Sequence, residues 1–428
     1  MKVTVEPGRR VRGEATVPGD KSITHRAVLI GAICDGVSRA CGYLPAQDCL
    51  ASIRAVRQLG VTVEERGAEV VVHGLGLHGV AEPEDVIDCG GSGTTIRLLC
   101  GILAGQVGKA AFLTGNEALR RRPMRRILEP LQEMGAAVIG RNSDQLPPVA
   151  IRGAALRGLR YTLPVASAQV KSALLLAGLL ASEPSEISEP ARTRDHTERM
   201  LAAMGAPLRT ENRTVLVQPA ARLEPIDLHI PGDFSSAAFL LAAAWLVPGS
   251  ELLLRNIGVN PTRTGLLEIA RRMGAGFRVE EERLVCQEEV ASLVAWSQPL
   301  RGTLVNGELV PLSIDELPLV AVLGTQAEGE TVVRDAAELR VKESDRIAAI
   351  ATELRKLGAA IDELPDGFAV RGPTALRGGT VNSHHDHRLA MALAVAGLVA
   401  QGPVTIEAAE CVADSFPGFF ALLEGLRC

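Results

Sequence analysis

The sequence predicts an α/β protein of two domains, built from six repeats in which buried helices lie inside sheets. Three observations predict this. One helix type ends in Leu/Met-Gly and recurs with its glycine at Gly60, Gly135, Gly205, Gly274, Gly358 and, in a weaker copy, Gly425, at spacings of 67 to 84 residues. A second helix type starts polar and then turns apolar on nearly all sides, which is the pattern of a core helix. Its starts are Lys21-Ser22, Ser92-Gly93-Thr94, Ser167-Ala168-Gln169, Asp233-Phe234-Ser235-Ser236, Asp315-Glu316 and His385-Asp386-His387-Arg388. Finally, Val17-Pro18-Gly19-Asp20 returns as Ile230-Pro231-Gly232-Asp233, each time ahead of a core helix. These are read as two crossings between domains. Residues 20–232 would form an inserted domain of three repeats, residues 1–19 plus 233–428 the second, with the active site in the cleft between them.

Each element has a local reason. The Leu/Met-Gly glycines suit the left-handed position that ends a helix. Asp20 is a good N-cap, so the first core helix should begin at Lys21. Lys21, Ser22 and Arg26 then gather at a helix N-terminus, where exposed N–H groups and the dipole favour an anion. The glycine-rich loop Asp88-Cys89-Gly90-Gly91-Ser92-Gly93-Thr94 lets backbone N–H groups approach an anion, but no Gly-Lys-Ser/Thr ends it, so it is not a P-loop. A plain tight turn fits it equally. Arg120-Arg121-Arg122-Pro123-Met124-Arg125-Arg126 is a basic cluster in which Pro123 suits the first helical position, and Arg122 is the best placed to meet a ligand.

Three further segments carry charge. In Arg340-Val341-Lys342-Glu343-Ser344-Asp345-Arg346, a helix starting there would put Lys342 and Arg346 on one face with Glu343 three residues before Arg346. Two cations around a carboxylate suit anion binding with proton transfer, and equally a charge-laced surface helix. Asp315-Glu316 at a helix start suits capping. In Asn382-Ser383-His384-His385-Asp386-His387-Arg388 the histidines lack the i, i+4 spacing of a helical metal pair. Asp386 as cap and Arg388 facing an anion is the better reading. Asp195-x-x-Glu198 reads as a capping box, with Arg194 able to reach the cleft.

Composition narrows the function. The chain has 428 residues, 47% hydrophobic and 22% charged, with only 3% aromatics and a net charge of −5. Few aromatics and an acidic balance argue against nucleic acid. Eight scattered cysteines without a Cys-x-x-Cys pair suit a reducing cytoplasm better than disulfides or zinc. No apolar run approaches the ~20 residues of a membrane span, and Met1 to Pro7 has no apolar signal core.

Together the motifs Pro18-Gly19-Asp20-Lys21-Ser22-Ile23-Thr24-His25-Arg26, Gly91-Ser92-Gly93-Thr94-Thr95-Ile96-Arg97, Arg121-Arg122-Pro123-Met124, Ser167-Ala168-Gln169-Val170-Lys171-Ser172-Ala173, Thr193-Arg194-Asp195-His196-Thr197-Glu198, Leu339-Arg340-Val341-Lys342-Glu343-Ser344-Asp345-Arg346 and Asp386-His387-Arg388 resemble, in order, those of the 3-phosphoshikimate 1-carboxyvinyltransferases, enolpyruvyl transferases of the shikimate pathway. The resemblance implies the two-domain enolpyruvyl transferase fold, an inside-out α/β barrel whose halves close on substrate. It implies transfer of the enolpyruvyl group of phosphoenolpyruvate to the 5-hydroxyl of shikimate 3-phosphate by a cytoplasmic enzyme, a monomer, with no cofactor and no metal. Shikimate 3-phosphate would be held by Lys21, Ser22, Arg26, Ser167, Ala168, Gln169, Asp315 and Lys342. Phosphoenolpyruvate would be held by Lys21, Gly93, Arg122, Gln169, Arg346 and Arg388. Catalysis would use Lys21, Asp315 as base and Glu343 as proton donor to the methylene carbon. Glyphosate would occupy the phosphoenolpyruvate site, with Gly93 leaving room for it.

Three positions depart from part of that family. Gly91 and Glu338 stand where asparagine occurs, and Asp414 stands where some members have a lysine that would serve as a phosphate ligand. The related transferases acting on UDP-N-acetylglucosamine are the nearest rival. They have Lys-Asn where this chain has Lys21-Ser22, and a loop cysteine where it has Arg120-Arg121-Arg122-Pro123. A noncatalytic anion-binding repeat protein is the rival of another class.

Overall fold

The polar starts and apolar bodies of the core helices sort the chain into inside and outside. In the computed structural model, which describes all 428 residues, these helices run Lys21–Gly31, Gly93–Ala104, Ala168–Leu179, Phe234–Leu246, Leu317–Gln326 and His387–Leu398. Nearly every residue of each is buried past the first turn. Around them lie six separate sheets, five of four strands and one of three, and none closes on itself.

The repeat unit is strand, core helix, parallel strand, second helix and antiparallel hairpin. In one copy Ile87–Asp88 runs parallel to Ala110–Thr114 on either side of the Gly93 helix. The helix Arg125–Glu133 follows, then the strands Ala137–Gly140 and Leu146–Arg152. The five strong Leu/Met-Gly glycines all adopt positive φ, from 78° at Gly205 to 108° at Gly135. Gly425 instead lies inside the last helix, Phe419–Gly425.

The chain forms two compact units. One comprises Gly19–Ile230 with Val285–Glu288, and has its own apolar core. Its last strand, Asp227–His229, pairs parallel with Val37–Cys41 and completes the sheet beside the Lys21 helix. The other comprises Met1–Pro18, Pro231–Leu284 and Glu289–Cys428, with a second apolar core. The N-terminal segment serves two of its sheets. Lys2–Val5 pairs antiparallel with Val404–Glu407, and Arg12–Ala15 runs parallel to Glu251–Leu254.

Within the first of these units the Gly93 and Ala168 helices approach very closely. A Cβ on Gly101 would stand 2.2 Å from the Ala173 carbonyl oxygen, so only glycine fits there. The first turns of the same two helices also meet, through a hydrogen bond from Gln169 to Thr94, the neighbour of Gly93.

Candidate active site

In the unit Gly19–Ile230, local capping fixes three helix starts. Asp20 accepts from Ile23 N at 2.9 Å, Ser92 from Thr95 N at 3.1 Å and Ser167 from Val170 N at 3.5 Å. Lys21, in the first turn, forms a 2.6 Å ion pair with Asp48 on the helix Gln47–Gln58. Ser22, beside it, accepts through its carbonyl from Arg26 Nη1 at 3.0 Å. Arg26 is only 3% exposed and also donates to Thr197 Oγ1 and Ser172 Oγ, at 2.6 and 2.9 Å. Burial lowers its guanidinium to about 10. Three of its five N–H groups are thus used inside the protein, and two remain.

Gly93 opens its helix against Arg122, which is buried. Pro123 does not start the following helix as expected. That helix runs from Arg125 with Met124 at the N-cap position, and Arg122 ahead of it is extended. Ala168 and Gln169 form the first turn of their helix behind the Ser167 cap. Gln169 is held at both ends, its Oε1 accepting from Arg97 Nη1 and its Nε2 donating to Thr94 Oγ1 at 2.9 Å. Arg97 also donates to the Pro123 carbonyl at 3.0 Å, and is 1% exposed. This arginine ties the elements carrying Gly93, Arg122 and Gln169 together. It stood in the Gly91–Arg97 motif, but spacing along the chain gave no sign that its partners lay 26 and 72 residues away.

The supposed capping box is corrected. Asp195 makes no side-chain cap bond and accepts instead from Arg199 Nε at 2.9 Å. Glu198 turns inward to pair with buried Lys171 at 2.7 Å, which Glu189 also meets at 3.1 Å. Burial opposes charge on Lys171, but the two carboxylates outweigh it and raise its pKa. A buried ammonium demands countercharge more strongly than a helix end demands a cap.

In the other unit the central residue is Arg346. It begins the helix Arg346–Lys356 behind an Asp345 cap and is 1% exposed. Its Nη1 donates to Asp315 Oδ1 at 3.1 Å and its Nη2 to Glu343 Oε2 at 2.7 Å. Its Nε and Nη2 grip the two oxygens of Asp386 at 2.8 and 3.2 Å. Burial opposes the charge of Arg346, yet Asp386, Glu343 and Asp315 together raise its pKa.

Lys342 lies outside that helix, at the end of the short 3-10 turn Ala337–Val341, so the shared helical face expected for Lys342 and Arg346 does not exist. Asp345 intervenes as the cap and delays the helix. Nor does Glu316 cap the next core helix. Its carboxylate accepts from Ser235 Oγ, while Asp315 goes to Arg346.

Asp386 does cap the His387 helix, accepting from Arg388 N at 2.9 Å, and also accepts from Ser344 Oγ at 3.1 Å. One buried carboxylate therefore anchors two of the three arginines expected to meet phosphoenolpyruvate, Arg346 through its guanidinium and Arg388 through its backbone N–H. The Arg388 guanidinium lies over the Phe239 ring, 5.9 Å from its centroid, and its buried Nε and Nη1 have no hydrogen-bond partner in the protein. Buried donors left unpaired are costly, and a bound anion would satisfy them. His384, nearby in sequence, is engaged through Nε2 with buried Glu353 at 2.8 Å.

Comparison with known proteins shows the family of the chain. The family model of EPSP synthase (3-phosphoshikimate 1-carboxyvinyltransferase) matches residues 5–423. A 3-phosphoshikimate 1-carboxyvinyltransferase of Desulforudis audaxviator is 52% identical over 428 residues, covering 100% of both chains. Its counterpart from Anaeromyxobacter sp. is 53% identical over 417 residues, covering 97% of this chain and 96% of that protein. Among solved structures, an EPSP synthase from Acinetobacter baumannii superposes with a TM-score of 0.88 at 41% identity, covering 100% of this chain and 98% of the other. The enolpyruvyl transferase NikO of Streptomyces tendae, at 19% identity and a TM-score of 0.79 over 99% of this chain and 96% of its own, shares the fold. The chain belongs to the EPSP synthase (3-phosphoshikimate 1-carboxyvinyltransferase) family.

Proposed function

We propose that this protein transfers the enolpyruvyl group of phosphoenolpyruvate to the 5-hydroxyl of shikimate 3-phosphate, releasing phosphate, as a step of chorismate and aromatic amino acid biosynthesis. The observation that carries the site assignment is the single buried guanidinium of Arg346 holding both Asp315 and Glu343. A base and an acid must serve one reaction centre, and here one cation fixes both.

The charges fit the substrates. Each phosphate brings ~−1.5 to −2, and with one carboxylate each the two substrates carry roughly −5 to −6. Lys21, Arg26, Arg122, Lys342, Arg346 and Arg388 supply six positive charges, of which Lys21 is shared with Asp48 and Arg346 with Asp315, Glu343 and Asp386. In this reading Lys21, Ser22, Arg26, Ser167, Ala168, Gln169, Asp315 and Lys342 hold shikimate 3-phosphate. Lys21, Gly93, Arg122, Gln169, Arg346 and Arg388 hold phosphoenolpyruvate. Asp315 takes the proton of the 5-hydroxyl as its oxygen bonds to the central carbon of phosphoenolpyruvate. Glu343 gives a proton to the methylene carbon, which becomes a methyl. Phosphate then leaves as a methyl proton returns to a carboxylate. The protein acts as a monomer in the cytoplasm. No helix of the chain is long and apolar enough to cross a membrane.

Phosphate release measured with each acceptor in turn tests this. Release with shikimate 3-phosphate and none with UDP-N-acetylglucosamine is expected. The opposite pattern would assign the chain to the rival chemistry, and no release with either would leave an anion-binding protein.

A further inference from the structure

His25 lies on the Lys21 helix and is 0% exposed, yet neither substrate is assigned to it. Its Nδ1 is 2.8 Å from Ser52 Oγ on the helix Gln47–Gln58. Ser52 Oγ is 2.7 Å from Thr95 Oγ1, and Thr95 Oγ1 donates to Ser92 Oγ at 2.7 Å. Ser92 is the residue that caps the Gly93 helix. Ser52, Thr95 and Ser92 are all buried.

Each hydroxyl has one proton to give, which fixes every direction in this chain. Thr95 gives its proton to Ser92, so it must accept from Ser52. Ser52, its proton committed, must accept from an Nδ1–H on His25. The other ring nitrogen agrees. Nε2 is buried and has no hydrogen-bond partner, so nothing there would receive a proton. Burial, reinforced by the charges of Lys21 and Arg26, holds the imidazole neutral by lowering its pKa well below the usual value. A neutral ring carries one N–H.

We propose that His25 is a positioning residue: as the neutral Nδ1–H tautomer it starts a one-way chain, His25 to Ser52 to Thr95 to Ser92, that fixes the first turn of the Gly93 helix against the helix carrying Lys21. The inference rests on the reading that Gly93 and Lys21 meet phosphoenolpyruvate. The N–H groups of a helix start bind an anion only where they are aimed, and this chain aims those at Gly93.

The test uses the full-length protein. ¹⁵N NMR of His25 should show the proton on Nδ1 at neutral pH, and a proton on Nε2 or on both nitrogens overturns the chain. His25→Leu keeps an apolar side chain and removes the donor. His25→Asn leaves more empty space but keeps an N–H near the Nδ1 position. The first should raise KM for phosphoenolpyruvate about fivefold, the worth of one neutral hydrogen bond, with kcat little changed. The second should stay near the unsubstituted protein. If Asn is worse than Leu, packing matters and positioning does not. Ser52→Ala breaks the same chain, so Ser52→Ala with His25→Leu should be no worse than either alone, and effects that multiply overturn the proposal. Absence of enolpyruvyl transfer in the unsubstituted protein would instead sink the functional reading, and the NMR result would still decide the chain.

Discussion

A Cβ placed on Gly93 would stand 2.8 Å from Nη1 and 2.9 Å from Cζ of Arg122. The glycine and the arginine proposed for phosphoenolpyruvate are thus in direct apposition, and any side chain at position 93 must move the guanidinium. The guanidinium is the far end of a flexible side chain, so the fold would survive.

Gly93→Ala should therefore raise KM for phosphoenolpyruvate through Arg122. It should raise the inhibition constant of glyphosate by a larger factor, because glyphosate is the longer ligand and also loses the space of the methyl group. Steady-state measurement of both constants in both proteins decides this. Equal factors would mean that the methyl acts through Arg122 alone.

Asp315→Asn keeps an oxygen that can accept from Arg346 and removes the proposed base. Turnover should fall by at least ~10²-fold, the usual share of a general base, while KM for each substrate changes little. Turnover at the unsubstituted rate would take Asp315 out of the mechanism.

Asp386→Asn removes the carboxylate that grips two nitrogens of buried Arg346. Removing one partner of a buried pair typically costs about 3–5 kcal/mol, and Asp315 and Glu343 remain on the arginine, so a loss near about 3 kcal/mol is expected. Urea unfolding of both proteins measures it. A midpoint that does not move would show that two carboxylates suffice for Arg346.

His25 also predicts a pH dependence of stability. Its folded pKa lies well below the ordinary imidazole value of 6.5, so below that pH the unfolded chain binds a proton that the folded chain refuses. Stability from this group is intact above pH 6.5 and falls as pH drops below it, by about 1.4 kcal/mol per pH unit. His25→Asn should flatten the stability profile between about pH 5 and 6.5 relative to the unsubstituted protein. Parallel profiles would mean that His25 takes up its proton while folded.

The local features of this protein were legible in its sequence. The six core helices begin at or within two residues of the expected polar starts, because an N-cap and an all-apolar body are properties of adjacent residues. Asp20, Ser92, Ser167, Asp233 and Asp386 all cap as short-range chemistry requires. The ordered motifs sufficed to place the chain in its family. Tertiary structure alone decided where the buried charges go. Arg346 finds Asp315 and Asp386 at separations of 31 and 40 residues, and Arg97 finds Gln169 at 72. Glu198 looked like half of a capping box and became the counterion of Lys171. The reason is physical. A cap is paired within one turn of its own helix, whereas a buried charge is stable only beside an opposite charge that the fold carries to it.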